Sequence, residues 1–280
     1  MRAILLNPGP VSLSEGVRRA ATEVDLCHRE SEFFDLQDNL RSALPAIYGL
    51  DPELWSAVLL GGSGTTAMEA MVSSLVPKDA NALIIENGVY GERFRKLCEI
   101  HQITHEMVHG EWTDEWDVAE IDQRIAQGGY SHVLAVHHET TTGRLNPVDQ
   151  LAEICERHHC RLLLDCVSSF GAEAIPFESS AVVACAATAN KCLHGITGLC
   201  FVLCRKEALG DDANCRTLTL HLPLWAERQA QRSTPFTPSV NAMQALRQGV
   251  RLDPGKVPLA ELLAWLLATV PENRSVCCGR

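Results

Sequence analysis

The sequence has no excess of basic residues, which general nucleic-acid binders and anionic-membrane binders need. Its 280 residues include 24 Lys and Arg against 35 Asp and Glu, which gives a formal net charge of −11. We therefore expect no nucleic-acid partner and no membrane partner. An anionic small molecule is not excluded, because a pocket can be locally positive on an acidic protein.

Long apolar runs and paired C-x-x-C motifs are also missing. No run reaches about 18 apolar residues, the length of a membrane span, and the apolar stretch at the N-terminus is too short for a signal peptide. Without two C-x-x-C motifs structural zinc is not expected, and we predict no metal site. The 12 cysteines are scattered through a chain with ample core. We therefore predict reduced thiols and a cytoplasmic location.

Short apolar runs alternate with amphipathic segments from about residue 56 to residue 204, in a chain long enough for one large domain or two ordinary ones. The predicted strands are 56–60, 82–85, 132–136, 161–164, 182–186 and 199–204. The predicted helices are 65–76, 90–103 and 147–158, with flanking helices within 12–49, near 239–249 and at 259–270. The strand runs are continuous in apolar residues, which predicts an α/β domain with a mostly parallel central sheet covered by helices.

Three features of this region could carry chemistry. Residues 61–66 (GGSGTT) join a strand to a helix, where free backbone N–H groups suit a phosphate, although a plain capped turn fits the same pattern. Asp165 follows a buried strand and needs a cationic or protonated partner, unless it is a turn or capping residue. Lys191 lies in a stretch of low charge, where a partly desolvated amine is nucleophilic, unless it is an ordinary surface lysine. Together they are the set that pyridoxal phosphate needs.

Seven motifs along the chain resemble those of the class V aminotransferases. In chain order they are NPGPV at 7–11, HR at 28–29 with EF at 32–33, GSGT at 62–65, ENGVYG at 86–91, HETTTG at 138–143, DCVSS at 165–169 and NK at 190–191. The resemblance covers residues 3 to about 248. Within the class, the stretches ETTTG, DCVSSFGA and ANKCLHGITG favour the 2-aminoethylphosphonate–pyruvate transaminases over the alanine–glyoxylate and serine–pyruvate transaminases.

The resemblance implies pyridoxal phosphate as the cofactor and the large domain of the type I pyridoxal-phosphate transferase fold. It implies that Lys191 binds the cofactor's aldehyde and carries the proton, and that Asp165 holds the proton of the pyridine nitrogen. The further cofactor contacts that it implies are Tyr90 stacked on the ring, Val167 on the opposite face, Thr140 near the ring hydroxyl, and Ser63, Gly64, Thr65 and Asn190 at the phosphate. Thr234 and Thr237 match a loop that reaches the neighbouring subunit's phosphate, which implies a homodimer with shared sites.

The implied reaction moves the amino group of 2-aminoethylphosphonate to pyruvate and yields phosphonoacetaldehyde and L-alanine, as in phosphonate catabolism. One alternative is a related class V transaminase of the alanine–glyoxylate or serine–pyruvate type. A second is a cofactor-binding but weakly active truncated form. A third is a lyase or desulfurase, which would need a reactive cysteine on a mobile loop, a context that none of the cysteines clearly has.

The chain departs from the family after the helix at 239–249. Family members continue with a small C-terminal domain whose arginine binds the acidic end of the substrate, whereas residues 250–280 match nothing in that domain. We expect a large domain at 1–249 that includes the N-terminal helical segment, a short atypical tail at 250–280, and a small domain that is truncated or replaced. Arg29 is the local cation expected to contact the substrate, unless it is an ordinary helix-surface charge.

Overall fold

Seven strands form one sheet in the computed structural model, which describes residues 5–210 and 215–250. The strands of the sheet are β1 (Trp55–Gly62), β2 (Asn81–Glu86), β3 (Thr104–His109), β4 (His132–Val136), β7 (Arg161–Asp165), β8 (Val182–Thr188) and β9 (Gly198–Arg205), while β5 (His138–Glu139) and β6 (Arg144–Leu145) form a separate two-stranded ribbon. The order across the sheet is β1-β9-β8-β7-β4-β2-β3, and of these seven strands β9 alone runs in the direction opposite to the other six. The predicted mostly parallel sheet is confirmed.

Helices cover both faces of the sheet. Within the described residues they are α1 (Glu15–Ala20), α2 (Ser31–Ala46), α3 (Gly64–Leu75), α4 (Val89–Ile100), α5 (Val118–Gly128), α6 (Val148–Arg157), α7 (Leu222–Ala230) and α8 (Val240–Gly249). Successive side chains of a strand point to opposite faces. Leu59 of β1 therefore packs in one apolar cluster with Phe33 of α2, and Leu60 packs in a second cluster with Met68 of α3. The fold has three layers in the order helix, sheet, helix.

Among the described elements, the strands β3, β5 and β6 and the helices α5 and α7 are not predicted by the apolar pattern. β3 lies at the edge of the sheet, and its side chains are exposed or half-buried along the whole strand. Its sequence, THEMVH, therefore lacks the continuous apolar run that marks the central strands. By contrast, every residue of β4 is buried. Strand prediction from apolar runs succeeds where helices cover both faces of a strand, which includes the buried edge strand β1, and fails at β3, whose side chains are not fully covered.

Several predicted boundaries shift by one to a few residues. The pattern predicts a turn over 61–64, but β1 continues to Gly62 and α3 begins at Gly64, so that Ser63 alone separates them. α6 begins at Val148, and Pro147 occupies the capping position instead of the first helical position. The predicted helix at 259–270 and the tail beyond Val250 lie outside the described residues, so the division at residue 249 stays a prediction.

The parallel strands bring the predicted site residues to one edge of the sheet. In the strand register Val136 of β4 pairs with Asp165 of β7, and Asp165 pairs with Ala186 of β8. The segments that follow these three strands carry Thr140, Val167 and Lys191. Along the part of the chain that the structure covers, no helix has the length and apolar character needed to cross a membrane.

Candidate active site

A cavity of about 410 Å³ lies at this edge of the sheet. Seven residues predicted to bind the cofactor line it: Ser63, Gly64, Thr65, Tyr90, Val167, Asn190 and Lys191. They belong to four separate segments, which are the β1–α3 junction, the first turn of α4, the loop after β7 and the loop between β8 and β9. The volume is in the range of pockets that hold small organic ligands.

The junction of β1 and α3 borders the cavity with backbone N–H groups. The first N–H groups of an α-helix have no carbonyl partner within the helix, and α3 begins at Gly64, on the cavity wall. The Ser63 N–H donates to Thr66 Oγ1 at 3.1 Å, which fixes the turn. The free N–H groups and the positive end of the helix dipole make this junction suitable for a phosphate.

Asp165 adjoins the cavity but does not line it. Its carboxyl is 3% exposed at the end of β7, and Oδ1 accepts a hydrogen bond from the Val167 N–H at 2.9 Å. Burial raises the pKa of Asp165 to about 7. The Val167 hydrogen bond opposes this rise, the charge of Glu139 adds to it, and the positive charges of Arg93 and Lys191 oppose it. Because Asp165 has no ion pair among the described residues, a cationic group bound beside it would be favoured.

Lys191 lies in the loop between β8 and β9, against the N-terminal NPGPV segment. A Cβ added at Gly9 would be 2.3 Å from Lys191 Cδ, so the Gly9 backbone packs directly on the lysine side chain. Asn190 is held from two sides. Its Oδ1 accepts from Thr188 Oγ1 at 2.8 Å, and its carbonyl oxygen accepts from the Val11 N–H at 3.3 Å. The lysine loop is therefore fixed by both a strand end and the N-terminal segment.

Tyr90 and Arg93 lie on one side of α4, because residues three apart share a helix face. The Arg93 guanidinium is 4.5 Å from the centroid of the Tyr90 ring, and its Nη1 donates to Thr65 Oγ1 at 2.8 Å. Arg93 also lines the cavity. It thus connects the aromatic wall to the β1–α3 junction. Sequence reasoning missed Arg93, although its spacing from Tyr90 in ENGVYGER is a signal that could have identified it.

Glu139 and Thr140 lie beside the start of α4. Thr140 Oγ1 is buried and has no hydrogen-bond partner among the described residues, so a polar ligand atom could satisfy it. The Glu139 side chain is 0% exposed, and its Oε2 accepts from the Tyr90 backbone N–H at 3.1 Å. Neither residue lines the cavity. Sequence reasoning also missed Glu139, which stands at the start of the ETTTG motif.

The structure does not bring Arg29, Thr234 or Thr237 to the cavity wall. Arg29 is exposed, and its Nη1 donates to the Thr234 carbonyl oxygen at 3.4 Å. Thr234 is buried, and its hydroxyl donates to the Phe236 carbonyl oxygen at 2.5 Å. Thr237 is exposed. The predicted role of the two threonines needs a second subunit and stays a prediction, with Thr237 having the more accessible side chain.

The Aminotransferase class-V family model matches residues 21–234 of the chain. The chain belongs to this family. The 2-aminoethylphosphonate–pyruvate transaminase of Pseudomonas aeruginosa PAO1 is 36% identical to this aminotransferase over 252 residues, which are 88% of this chain and 67% of that protein. The chain thus spans about two thirds of the length of that relative.

Solved aminotransferase structures share the fold. The subgroup IV aspartate aminotransferase of Thermus thermophilus matches with a TM-score of 0.83 at 27% identity, over 94% of this chain and 73% of that chain. The alanine–glyoxylate aminotransferase of Nostoc sp. matches with a TM-score of 0.84 at 24% identity, over 94% of this chain and 71% of that chain. The second likeness shows the fold alone.

The cofactor of this aminotransferase is pyridoxal phosphate, and the described residues fit it. The β1–α3 junction offers N–H groups and hydroxyls to a phosphate. Asp165, which has no ion pair among the described residues, suits a protonated ring nitrogen, and the Thr140 hydroxyl lacks a hydrogen-bond partner among those residues. The Lys191 amine lines the same cavity and can attach to an aldehyde. When bound, the cofactor serves as an electron sink for the substrate carbon that loses its proton.

Proposed function

We propose that this aminotransferase moves the amino group of 2-aminoethylphosphonate to pyruvate, giving phosphonoacetaldehyde and L-alanine in phosphonate catabolism. The proposal rests on a cavity that Lys191 lines and Asp165 adjoins, beside a phosphate-binding junction. It is supported by 36% identity to a protein named 2-aminoethylphosphonate–pyruvate transaminase. The stretches ETTTG, DCVSSFGA and ANKCLHGITG favour the same substrate over those of other class V transaminases.

In this proposal Lys191 is the proton carrier. Its Nζ takes a proton from the amino-bearing carbon of the substrate, as a general base. Asp165, ionised beside a cationic ring nitrogen, keeps a proton on that nitrogen. The remaining contacts assigned to the cofactor are Tyr90 and Val167 on the two ring faces, Thr140 at the ring hydroxyl, and Ser63, Gly64, Thr65 and Asn190 at the phosphate. Arg29 remains the proposed contact for the acidic end of the substrate.

We also propose that the enzyme is a homodimer in a reducing, cytoplasmic compartment. The dimer follows from the match of Thr234 and Thr237 to a loop that reaches the neighbouring subunit. The compartment is supported by the cysteines, because all ten of those in the described residues are free thiols.

The experiment is to add single amines to the holoenzyme and follow the visible absorbance of the protein-bound cofactor. We expect 2-aminoethylphosphonate to remove that absorbance, because the amino group passes to the cofactor, and pyruvate to restore it. Alanine, serine and aspartate are the competing donors, and glyoxylate is the competing acceptor. Lys191→Ala is the negative control, since it removes the only amine proposed to bind the cofactor.

The outcomes separate the alternatives. Faster conversion by alanine with glyoxylate than by 2-aminoethylphosphonate would assign the chain to the alanine–glyoxylate type. Normal cofactor loading with no conversion by any amine would assign it to the weakly active alternative. A cofactor still fixed to a lysine by borohydride in Lys191→Ala would overturn the assignment of Lys191 itself.

A further inference from the structure

Glu139 is a buried carboxylate that the proposed mechanism does not use. Its side chain is 0% exposed. Oε2 accepts from the Tyr90 N–H at 3.1 Å, and Oε1 accepts from the Thr141 N–H at 3.2 Å and from the Thr141 hydroxyl. A buried charge is costly unless hydrogen bonds satisfy it, and here both oxygens are satisfied. The donors come from two segments, the first turn of α4 and the ETTTG loop.

Close packing fixes the position of the Glu139 side chain. A Cβ added at Gly88 would be 2.3 Å from Glu139 Cδ, so the carboxylate fills the space that a side chain at residue 88 would take. A second link joins the same two segments, because the Val89 N–H donates to Thr141 Oγ1 at 3.4 Å. The carboxylate therefore connects the start of α4 to the ETTTG loop in one defined geometry.

The two connected segments carry residues assigned to two positions on the cofactor ring, Tyr90 on one face and Thr140 at the ring hydroxyl. Tyr90 is held through its own backbone N–H, and Thr140 lies between Glu139 and Thr141, which bond to each other. The Tyr90 ring forms part of the cavity wall, and the Thr140 hydroxyl is a buried group with no partner among the described residues. The negative charge of Glu139 also contributes to the raised pKa of Asp165.

We propose that Glu139 is a positioning residue of the cofactor pocket, whose buried carboxylate holds Tyr90 and Thr140 in place by connecting α4 to the ETTTG loop. The inference rests on the proposed contacts of Tyr90 and Thr140 with pyridoxal phosphate. It is independent of which amine is the substrate. Glu139 does not line the cavity and acts through other residues.

The test measures the dissociation constant of pyridoxal phosphate from cofactor-depleted protein. Glu139→Gln keeps the size of the side chain but replaces one acceptor oxygen by a donor, so that one of the two segments loses its partner. We expect the dissociation constant to rise by about tenfold, the size of one charge-assisted hydrogen bond. Glu86→Gln is the matched control. Glu86 is also buried at a strand end, but it accepts hydrogen bonds from His109 and Trp112 instead.

A double-mutant cycle tells positioning from general destabilisation. In a Tyr90→Leu, Thr140→Ala background, the residues that Glu139 positions are already lost. We expect Glu139→Gln to change the dissociation constant by less than about twofold there, because contacts in one network are not additive.

Three results would overturn the proposal. The first is an equal loss in both backgrounds, which would mean that Glu139 acts elsewhere. The second is an equal loss in Glu86→Gln, which would make the effect one of any buried carboxylate. The third is unchanged cofactor binding in the Tyr90→Leu, Thr140→Ala protein, which would show that Tyr90 and Thr140 do not contact the cofactor. The substrate proposal fails by a different measurement, the conversion of holoenzyme by amines.

Discussion

Among single residues, Asp165 is a carboxyl that burial separates from water. It is a 3% exposed carboxyl whose pKa burial raises to about 7. A folded-state pKa above the ordinary value of 3.8 means that the folded chain holds a proton which the unfolded chain has released. The contribution of Asp165 to stability is therefore complete below about pH 4 and is lost as the pH rises through about 7.

Asp165→Asn should remove this pH dependence, because an amide does not titrate. In the cofactor-free protein we expect the Tm of the variant to gain on that of the wild type as the pH rises from about 4 to about 7, by several degrees. Thermal unfolding followed by circular dichroism at each pH measures the difference. Identical Tm differences at all pH values would show that Asp165 ionises normally in the folded chain.

His132 titrates in the same range with the opposite sign. Burial lowers its pKa to about 4, so its contribution to stability is present above about pH 6.5 and is lost as the pH falls through 4. Because both the wild type and Asp165→Asn carry His132, its contribution cancels in their difference. The pH dependence of the wild-type Tm alone would combine the contributions of Asp165 and His132.

Among the elements, the β1–α3 junction packs closely against another part of the site. A Cβ added at Gly64 would be 2.6 Å from Val167 Cγ2, so the start of α3 lies directly on the loop after β7. The junction and that loop therefore keep a fixed spacing, which sets the distance between the phosphate-binding N–H groups and the side chain assigned to one ring face.

Gly64→Ala should disturb both stability and cofactor binding. Val167 must move to admit the new methyl group, and overpacking of this kind costs about 1–3 kcal/mol. We expect a lower Tm and weaker binding of pyridoxal phosphate, measured by titration of the cofactor-depleted protein. Gly61→Ala is the control, since a Cβ there meets nothing within 4 Å and should leave cofactor binding unchanged. Equal effects of the two variants would contradict the packing argument.

The reversed direction of β9 places Lys191. β8 ends at Thr188 and β9 begins at Gly198, so the antiparallel pair is joined by a loop at the carboxyl edge of the parallel strands. The Thr188 hydroxyl lies within hydrogen-bond distance of both Asn190 Oδ1 and the Leu199 carbonyl oxygen, and its one hydrogen is shared between these acceptors, which ties the loop to both strands. A parallel connection would have carried the chain across the sheet and away from this edge.

At the scale of the whole molecule, the proposed dimer with shared sites predicts that two inactive variants restore activity when they are mixed. If Thr237 completes the neighbouring site, a dimer of one Lys191→Ala subunit and one Thr237→Asp subunit has one intact site. Neither variant alone should turn over substrate efficiently. Statistical mixing should restore about a quarter of the wild-type activity, because half of the dimers are mixed and each has one of two sites intact.

Activity after mixing and refolding of the two variants measures this, with light scattering to report the molar mass. A molar mass of about twice 30.7 kDa is expected for the holoenzyme. Activity no greater than the sum of the separate variants would mean that the sites are not shared, even if the protein is dimeric.

The sequence by itself determined the fold class and the main chemical groups of the candidate site. Continuous apolar runs recur at the spacing of buried parallel strands, and this signal is local, so it survives in a single chain. Asp165 could be singled out because it directly follows such a run, and Lys191 because it lies in a stretch of low charge beyond another run. The edge strand β3 escaped because its outer face is solvated and its sequence carries no apolar run.

Only the tertiary structure decided which side chains meet. Arg93 pairs with Thr65 across 28 positions, and Glu139 pairs with Tyr90 across 49. These contacts depend on the order of strands in the sheet, which local periodicity does not encode. Burial likewise decided the pKa of Asp165, because desolvation depends on everything packed around the carboxyl and not on its neighbours in the chain.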